Sequence, residues 1–122
     1  MDIKDKIHKL FKSIDNMDTE KFLSFMTDDA VFRYGNAPAA KGKDAIRDSV
    51  NGFFSTIKAL KHRNVNMWVH PEHIIYEGEV TYTRHDNSQL TVPFTNIFGM
   101  NGELVNDYRI YIDISPLYSL SS

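Results

Sequence analysis

Hydrophobic side chains recur at helical spacing through the first half of the chain, a pattern typical of amphipathic helices packed on a core. The first predicted helix carries its apolar stripe on Ile3, Ile7, Leu10, Phe11 and Ile14. Asp18 is a suitable N-cap for a short second helix, and a third helix is predicted after Gly42. Between these two helices the sequence predicts a short strand, Ala30 to Tyr34, and a loop over residues 35–40.

From Leu60 the hydrophobic period changes from helical to two and stays at two. The pattern predicts four successive strands: Leu60 to Val69, Ile74 to Arg84, Gln89 to Met100 and Glu103 to Ile114. Asn101-Gly102 predicts a type I′ hairpin, because both residues tolerate a positive φ. Helices followed by a meander indicate one α+β domain over residues 1–122, with N-terminal helices packed on a curved, mostly antiparallel sheet.

The strands carry large or polar side chains at both odd and even positions, so neither face of the sheet has the composition of a purely solvent-exposed surface. Trp68 and Tyr111 are too large and amphipathic to be typical exposed residues. We therefore expect one face to line a cavity and the other to meet a partner. On the last strand, the side that carries Arg109, Tyr111 and Asp113 is the candidate for lining the cavity. The opposite side, with Tyr108, Ile110 and Ile112, is expected to face a partner subunit.

Composition narrows the classes of function. The 122 residues have a net charge of −2 with acids and bases scattered, so no basic stripe favours nucleic acid. There is no cysteine, which excludes disulfides, thiolate metal sites and a cysteine nucleophile. No metal site is predicted, because His70 and His73 lack a third ligand. No signal peptide or membrane span is apparent, so a cytoplasmic protein is expected.

Three segments stand in an informative order along the chain. They are Thr27-Asp28-Asp29-Ala30-Val31-Phe32, Lys41-Gly42-Lys43-Asp44-Ala45-Ile46, and a final hairpin with Asn101-Gly102-Glu103-Leu104 and Tyr108-Arg109-Ile110-Tyr111-Ile112-Asp113. This arrangement resembles the SnoaL-like group of the nuclear-transport-factor-2-like superfamily. The resemblance implies a cone-shaped, cystatin-like α+β barrel with a cavity between the helices and the concave sheet. It also implies homodimers joined through the outer sheet face.

The resemblance further implies a small, largely apolar organic ligand. Cyclases of the SnoaL type use an aspartate at the end of the last strand as acid/base, and Asp113 matches it, with Arg109 and Tyr111 on the same parity. A carboxylate in an apolar pocket has its pKa raised toward the working range. An ion pair between Asp113 and Arg109 is the alternative. On the preceding strand, Asn96 stands where those cyclases carry a histidine.

The residues predicted to contact the ligand are Trp68, His62, Asn96, Tyr34 and Phe54. By parity His62 faces the same way as Trp68, and imidazole is the side chain that exchanges protons near neutral pH. A histidine hydrogen-bonded at the surface is the alternative for His62.

Two functions stay open at this point. One is a cofactor-free acid/base enzyme, a hydrolase, isomerase or lyase, in which Asp113 acts with Arg109 and Tyr111. The other is a non-catalytic ligand-binding or dimerisation module, in which the same residues form a structural network.

Overall fold

The computed structural model describes residues 2–118. Its elements within that range are α1 (Ile3–Asp15), α2 (Thr19–Leu23), β1 (Met26–Tyr34), β2 (Ala40–Lys41), α3 (Lys43–Ser55), β3 (Ala59–Val69), β4 (His73–Thr83), β5 (Gln89–Asn101), β6 (Leu104–Ile112) and a short 3-10 helix (Ser115–Tyr118). Each predicted helix and each of the four long strands is present. The differences are a longer β1 and the short β2, which begins at the last residue of the predicted loop.

The six strands form one curved, open sheet in the order β2-β1-β6-β5-β4-β3. Strands β3 to β6 pair as an antiparallel meander. β1 joins the meander by pairing parallel to β6, and β2 pairs antiparallel to β1. The sheet is therefore mixed, with β2 and β3 as its two edges.

The three helices cover the concave face of the sheet and build the core with it. Leu10 of α1, Phe22 of α2 and Ile46 of α3 are fully buried, as are Phe98 and Tyr108 on the sheet. The apolar stripe predicted for the first helix supplies the α1 part of this core. Asp18 caps α2 as predicted, because its Oδ1 accepts a hydrogen bond of 3.1 Å from the Lys21 amide.

Gly78 of β4 lets the sheet curl sharply. A Cβ at this position would lie 2.2 Å from the carbonyl oxygen of Arg63 and 3.2 Å from the Phe94 ring. No side chain fits in that space, so the close approach of β3 to β4 requires glycine.

A β-bulge in β3 reverses which side chains face the helices. Asn64 pairs with Gly78 and Asn66 pairs with Glu77, so Val65 is an extra residue without a partner on β4. Before the bulge Leu60 faces the core. After the bulge, the positions that face the helices and those that face outward are exchanged, because the side-chain period of a strand is two.

The hairpin between β5 and β6 differs from the predicted type I′ turn. Asn101 pairs with Leu104, so the central residues are Gly102 and Glu103. Of these two, Gly102 alone has a positive φ, 61°, which is the pattern of a type II′ turn with glycine first. The register is therefore shifted by one residue from the prediction.

Candidate functional site

A cavity of about 260 Å³ lies between the helices and the concave face of the sheet. Its floor contains the buried residues Tyr108 and Asn96, and its rim contains the exposed residues Ala37, Ser49 and Tyr118. The wall is apolar and largely aromatic. An apolar lining with a few polar groups is typical of small-molecule sites, and the volume lies just below their usual range.

His62 lines this cavity and is held by Asp15. The Nδ1 atom of His62 lies 2.6 Å from Asp15 Oδ1, and the His62 backbone amide donates to both carboxylate oxygens at 3.2 and 3.1 Å. The imidazole packs against Phe11 and, edge-on, against Phe94, with ring centroids 4.9 and 5.3 Å away. Asp15 thus fixes the ring and, by accepting a hydrogen bond from the Nδ1–H group, leaves Nε2 as the free nitrogen.

The position of Asp15 is unfavourable for helix stability. It is the last residue of α1, where a negative charge meets the negative end of the helix dipole. Its carboxylate instead accepts hydrogen bonds from the ring and backbone of His62. The pairing of Asp15 with His62 therefore explains why an aspartate stands at this helix end, where helix energetics alone would not favour it.

Two tyrosine hydroxyls meet in the same cavity. The hydroxyl oxygens of Tyr34 on β1 and Tyr82 on β4 are 2.8 Å apart, although β6 and β5 separate these strands in the sheet. Burial raises the pKa of Tyr34 far above its usual value and that of Tyr82 to about 12. Both phenols are therefore protonated at neutral pH and act as hydrogen-bond donors.

Asn96 and Tyr108 form a second polar pair in the floor. Asn96 Nδ2 donates to Tyr108 Oη over 3.4 Å, and Asn96 Oδ1 is buried without a hydrogen-bond partner in the part of the chain that the structure describes. Burial raises the pKa of the Tyr108 hydroxyl well above its ordinary value, so it too stays protonated.

The cavity wall has a simple charge pattern. None of the residues that line it, all within 2–118, is an aspartate, glutamate, lysine or arginine. An ionic ligand would lose its hydration without gaining a fixed countercharge. The wall therefore favours an uncharged ligand.

The family model for the SnoaL-like domain matches residues 7–108 of this chain. The chain belongs to the SnoaL-like family. This confirms the family resemblance noted in the sequence. The matched residues 7–108 run from within α1 to Tyr108 on the cavity floor.

Solved structures share the fold of this SnoaL-like chain at low sequence identity. An NTF2-like protein of unknown function from Burkholderia pseudomallei K96243 is 11% identical, with a TM-score of 0.86 over 96% of this chain and 95% of that one. TerC, co-crystallised with polyporic acid, is 14% identical, with a TM-score of 0.82 over 95% of each chain. A candidate SnoaL-like polyketide cyclase from Jannaschia sp. CCS1 is 14% identical, with a TM-score of 0.81 over 94% and 88%. No curated protein sequence matches the chain.

Four of the eight predicted site residues line the cavity of this SnoaL-like chain: His62, Asn96, Tyr34 and Phe54. The other four, Trp68, Arg109, Tyr111 and Asp113, do not. Trp68 is 53% exposed. Its predicted parity with His62 is wrong, because the bulge at Val65 lies between them.

The orientation predicted for the last strand is also wrong. Ile110 and Ile112 of β6 line the cavity, whereas Arg109 and Tyr111 project from the opposite face. The reason is energetic, since burying an arginine in an apolar wall costs far more free energy than exposing an isoleucine to solvent. A bulge at Asn106 places Val105 with Tyr108 on the buried side.

Asp113 lies beyond the end of β6 and is exposed. Hydrogen bonds from the Ser115 hydroxyl and then the Ser115 amide, 2.7 and 3.0 Å long, lower the pKa of its carboxyl. The predicted ion pair with Arg109 is not formed, because Arg109 Nε lies 3.3 Å from Asp107 instead. The catalytic role of Asp113 stays a prediction, but the raised pKa on which it depended is absent.

Sequence reasoning missed two residues of the site, Asp15 and Tyr82. Tyr82 and Val80 lie on the same side of β4 and both line the cavity. The alternation of side chains along the strand could therefore have assigned Tyr82 to the cavity. Asp15 is 47 residues from His62, and no local pattern connects them.

No helix within residues 2–118 has both the length and the apolar character needed to cross a membrane.

Proposed function

We propose that this chain binds a small, uncharged, largely apolar organic molecule in its cavity and catalyses proton transfer on it, with His62 as the base. The observation that carries the proposal is the Asp15–His62 pair: an imidazole on an apolar cavity wall, with Nδ1 held 2.6 Å from a carboxylate. A carboxylate that orients the imidazole and stabilises its protonated form is the usual support for a histidine base.

The proposed roles follow from these contacts. Asp15 accepts the hydrogen bond from Nδ1 and stabilises the charge that appears when Nε2 takes a proton. The aromatic wall excludes water, and Asn96 and the tyrosine hydroxyls provide polar contacts that orient the ligand. TerC, which shares the fold, has been co-crystallised with polyporic acid, and this supports a small-molecule role.

Blocking the rim should prevent binding. Ser49 is an exposed residue of α3 on the cavity lining, so Ser49→Trp places an indole at the entrance without disturbing the core. We expect at least about a tenfold loss of affinity for apolar ligands selected from a library by thermal shift, which detects ligands that bind the folded state.

The neighbouring residue provides a matched control for this experiment. Asp48 is exposed on the same helix and does not line the cavity, so Asp48→Trp should leave affinity unchanged. Equal affinities of the wild type and Ser49→Trp, measured by calorimetry, would mean that ligands bind elsewhere.

We also propose that two copies of the chain associate through the outer sheet face. Trp68, Ile75 and Ile97 are register neighbours across β3, β4 and β5 and project outward, as does Tyr111. Trp68 and Tyr111 are 53% and 50% exposed, and exposed aromatics of this size are typical of protein interfaces.

A charge on this face should separate the subunits. Trp68→Lys is expected to weaken the dimer by about a hundredfold or more, because large buried aromatics dominate interface energetics. Sedimentation velocity over a concentration series measures the change. Asn36→Lys adds the same charge in the exposed loop after β1 and should leave association unchanged. A wild-type protein that stays monomeric throughout the series would exclude this interface.

A further inference from the structure

The hydroxyl pair of Tyr34 and Tyr82 has one hydrogen without an acceptor. Each phenol has one hydrogen to donate, and one of the two is used in the bond between them. Neither side chain has another hydrogen-bond partner within residues 2–118. A buried hydroxyl hydrogen without an acceptor is costly, so the pair requires an acceptor from the contents of the cavity.

Either hydroxyl can donate in this bond, so one of the two keeps a free hydrogen. Both side chains line the cavity, but Tyr82 lies on β4, the strand that pairs with β3 at His62, whereas Tyr34 lies on β1. Position therefore favours Tyr82 as the hydroxyl that acts together with His62. A bond donated by Tyr34 to the Tyr82 oxygen polarises the hydrogen that Tyr82 keeps.

Tyr82 lies close to His62 on the inner face of the sheet. His62 pairs directly with Val80, and Tyr82 is the next residue along β4 on the same face. Diagonal neighbours of this kind have their Cβ atoms about 7 Å apart. Phe53 packs against both tyrosine rings, with centroids 5.2 and 5.7 Å away, and holds them in place. One small ligand can therefore contact both Tyr82 and His62.

We propose that Tyr82 donates its free hydroxyl hydrogen to a carbonyl oxygen of the ligand, that Tyr34 positions Tyr82, and that the substrates are uncharged carbonyl compounds. This rests on the proposed function of His62. When His62 Nε2 removes a proton from the carbon next to the carbonyl, the electron pair of that C–H bond forms a carbon–carbon double bond and the π pair of the carbonyl moves onto its oxygen. Nε2 holds the proton until it is returned to the enolate. Tyr82 stabilises the charge that develops on the oxygen.

Three bicyclic probes of nearly equal size test the proposal. Indene offers no strong hydrogen-bonding group, indole offers one donor, and indanone offers one acceptor. We expect indanone to bind the wild type about tenfold more tightly than indene in calorimetric titrations, which is the usual worth of one added hydrogen bond. Indole reports instead on the unpaired acceptor Asn96 Oδ1 in the cavity floor, so the preference for indanone is the readout for Tyr82.

Phenylalanine variants locate the donor. Tyr34→Phe should keep part of the preference for indanone, and the double variant Tyr34→Phe/Tyr82→Phe should lose it while still binding indene, which confirms that the cavity is intact. Tyr76 is a buried tyrosine outside the cavity lining, so Tyr76→Phe is a matched control that should keep the full preference.

The outcomes separate this inference from the proposed function. Equal affinities of the wild type for indene and indanone, or a preference that survives in the double variant, would overturn the role of Tyr82 and leave the cavity as a binding site. If none of the three probes binds, the proposed function and the inference both fail.

Discussion

We expect the replacement of His62 by glutamine to lower kcat/KM by about 10²- to 10⁴-fold, the usual contribution of a positioned acid/base group. Glutamine keeps much of the volume and some hydrogen bonding, but it cannot exchange a proton near neutral pH. The fold should survive, because the imidazole lies at the cavity wall and not in the fully buried core. Steady-state kinetics on a substrate found in a panel of uncharged carbonyl compounds measures the loss.

Two further variants define the expected result. Asp15→Asn should also reduce turnover, because the amide does not stabilise a protonated imidazole as a carboxylate does. Asp113→Asn should leave turnover unchanged, since Asp113 is exposed and hydrogen-bonded to Ser115. Full activity in His62→Gln, together with inactivity of Asp113→Asn, would restore the assignment that the sequence alone suggested.

The second large effect concerns the sheet that shapes the cavity. Gly78→Ala should lower the free energy of unfolding by about 3 kcal/mol or more, because the new Cβ would meet the Arg63 carbonyl at 2.2 Å. That oxygen belongs to the backbone of β3 and cannot rotate away. Relief of the clash would have to move β3, on which His62 lies.

Gly52 provides the matched control for this substitution. It lies inside α3 with nothing within 4 Å of an added Cβ, so Gly52→Ala should raise the free energy of unfolding by about 1 kcal/mol. Urea denaturation with a common m-value measures both changes. A Gly78→Ala protein as stable as the wild type would show that the sheet is less tightly curled at this point.

Secondary structure and family were predictable because both depend on local patterns. The apolar stripe of α1 and the alternation along β4 are repeated over enough residues to define the elements and their ends. The long meander then restricts the topology, because successive antiparallel strands pair with their neighbours. The parallel pairing of β1 with β6 connects segments distant in sequence, and no local pattern encodes it.

Side-chain orientation was predictable only as far as the next bulge. A single extra residue at Val65 turns Trp68 from the cavity to the outer face, and the sequence around it contains no glycine or proline to mark the irregularity. The orientation of Arg109 was wrong for another reason. The family resemblance implied a charged wall, but placing a guanidinium in an apolar cavity is too costly.

The composition of the site depends on long-range contacts. Asp15 meets His62 only because α1 packs against the start of β3, and Tyr34 meets Tyr82 only because the sheet curls. Hydrophobic periodicity predicts that these elements pack on one core, but not which polar atoms face each other. The predicted ligand contacts that proved to lie on the cavity, His62, Asn96, Tyr34 and Phe54, all occupy elements that were assigned correctly.

The most direct test of a catalytic imidazole on the cavity wall is ¹⁵N NMR of the His62 ring with and without saturating indanone. We predict that Nδ1 keeps its hydrogen-bonded proton toward Asp15 in both states and that the Nε2 resonance shifts when the ligand occupies the cavity. Saturation that leaves Nε2 unchanged, while resonances of the outer sheet face around Trp68 move, would contradict this site.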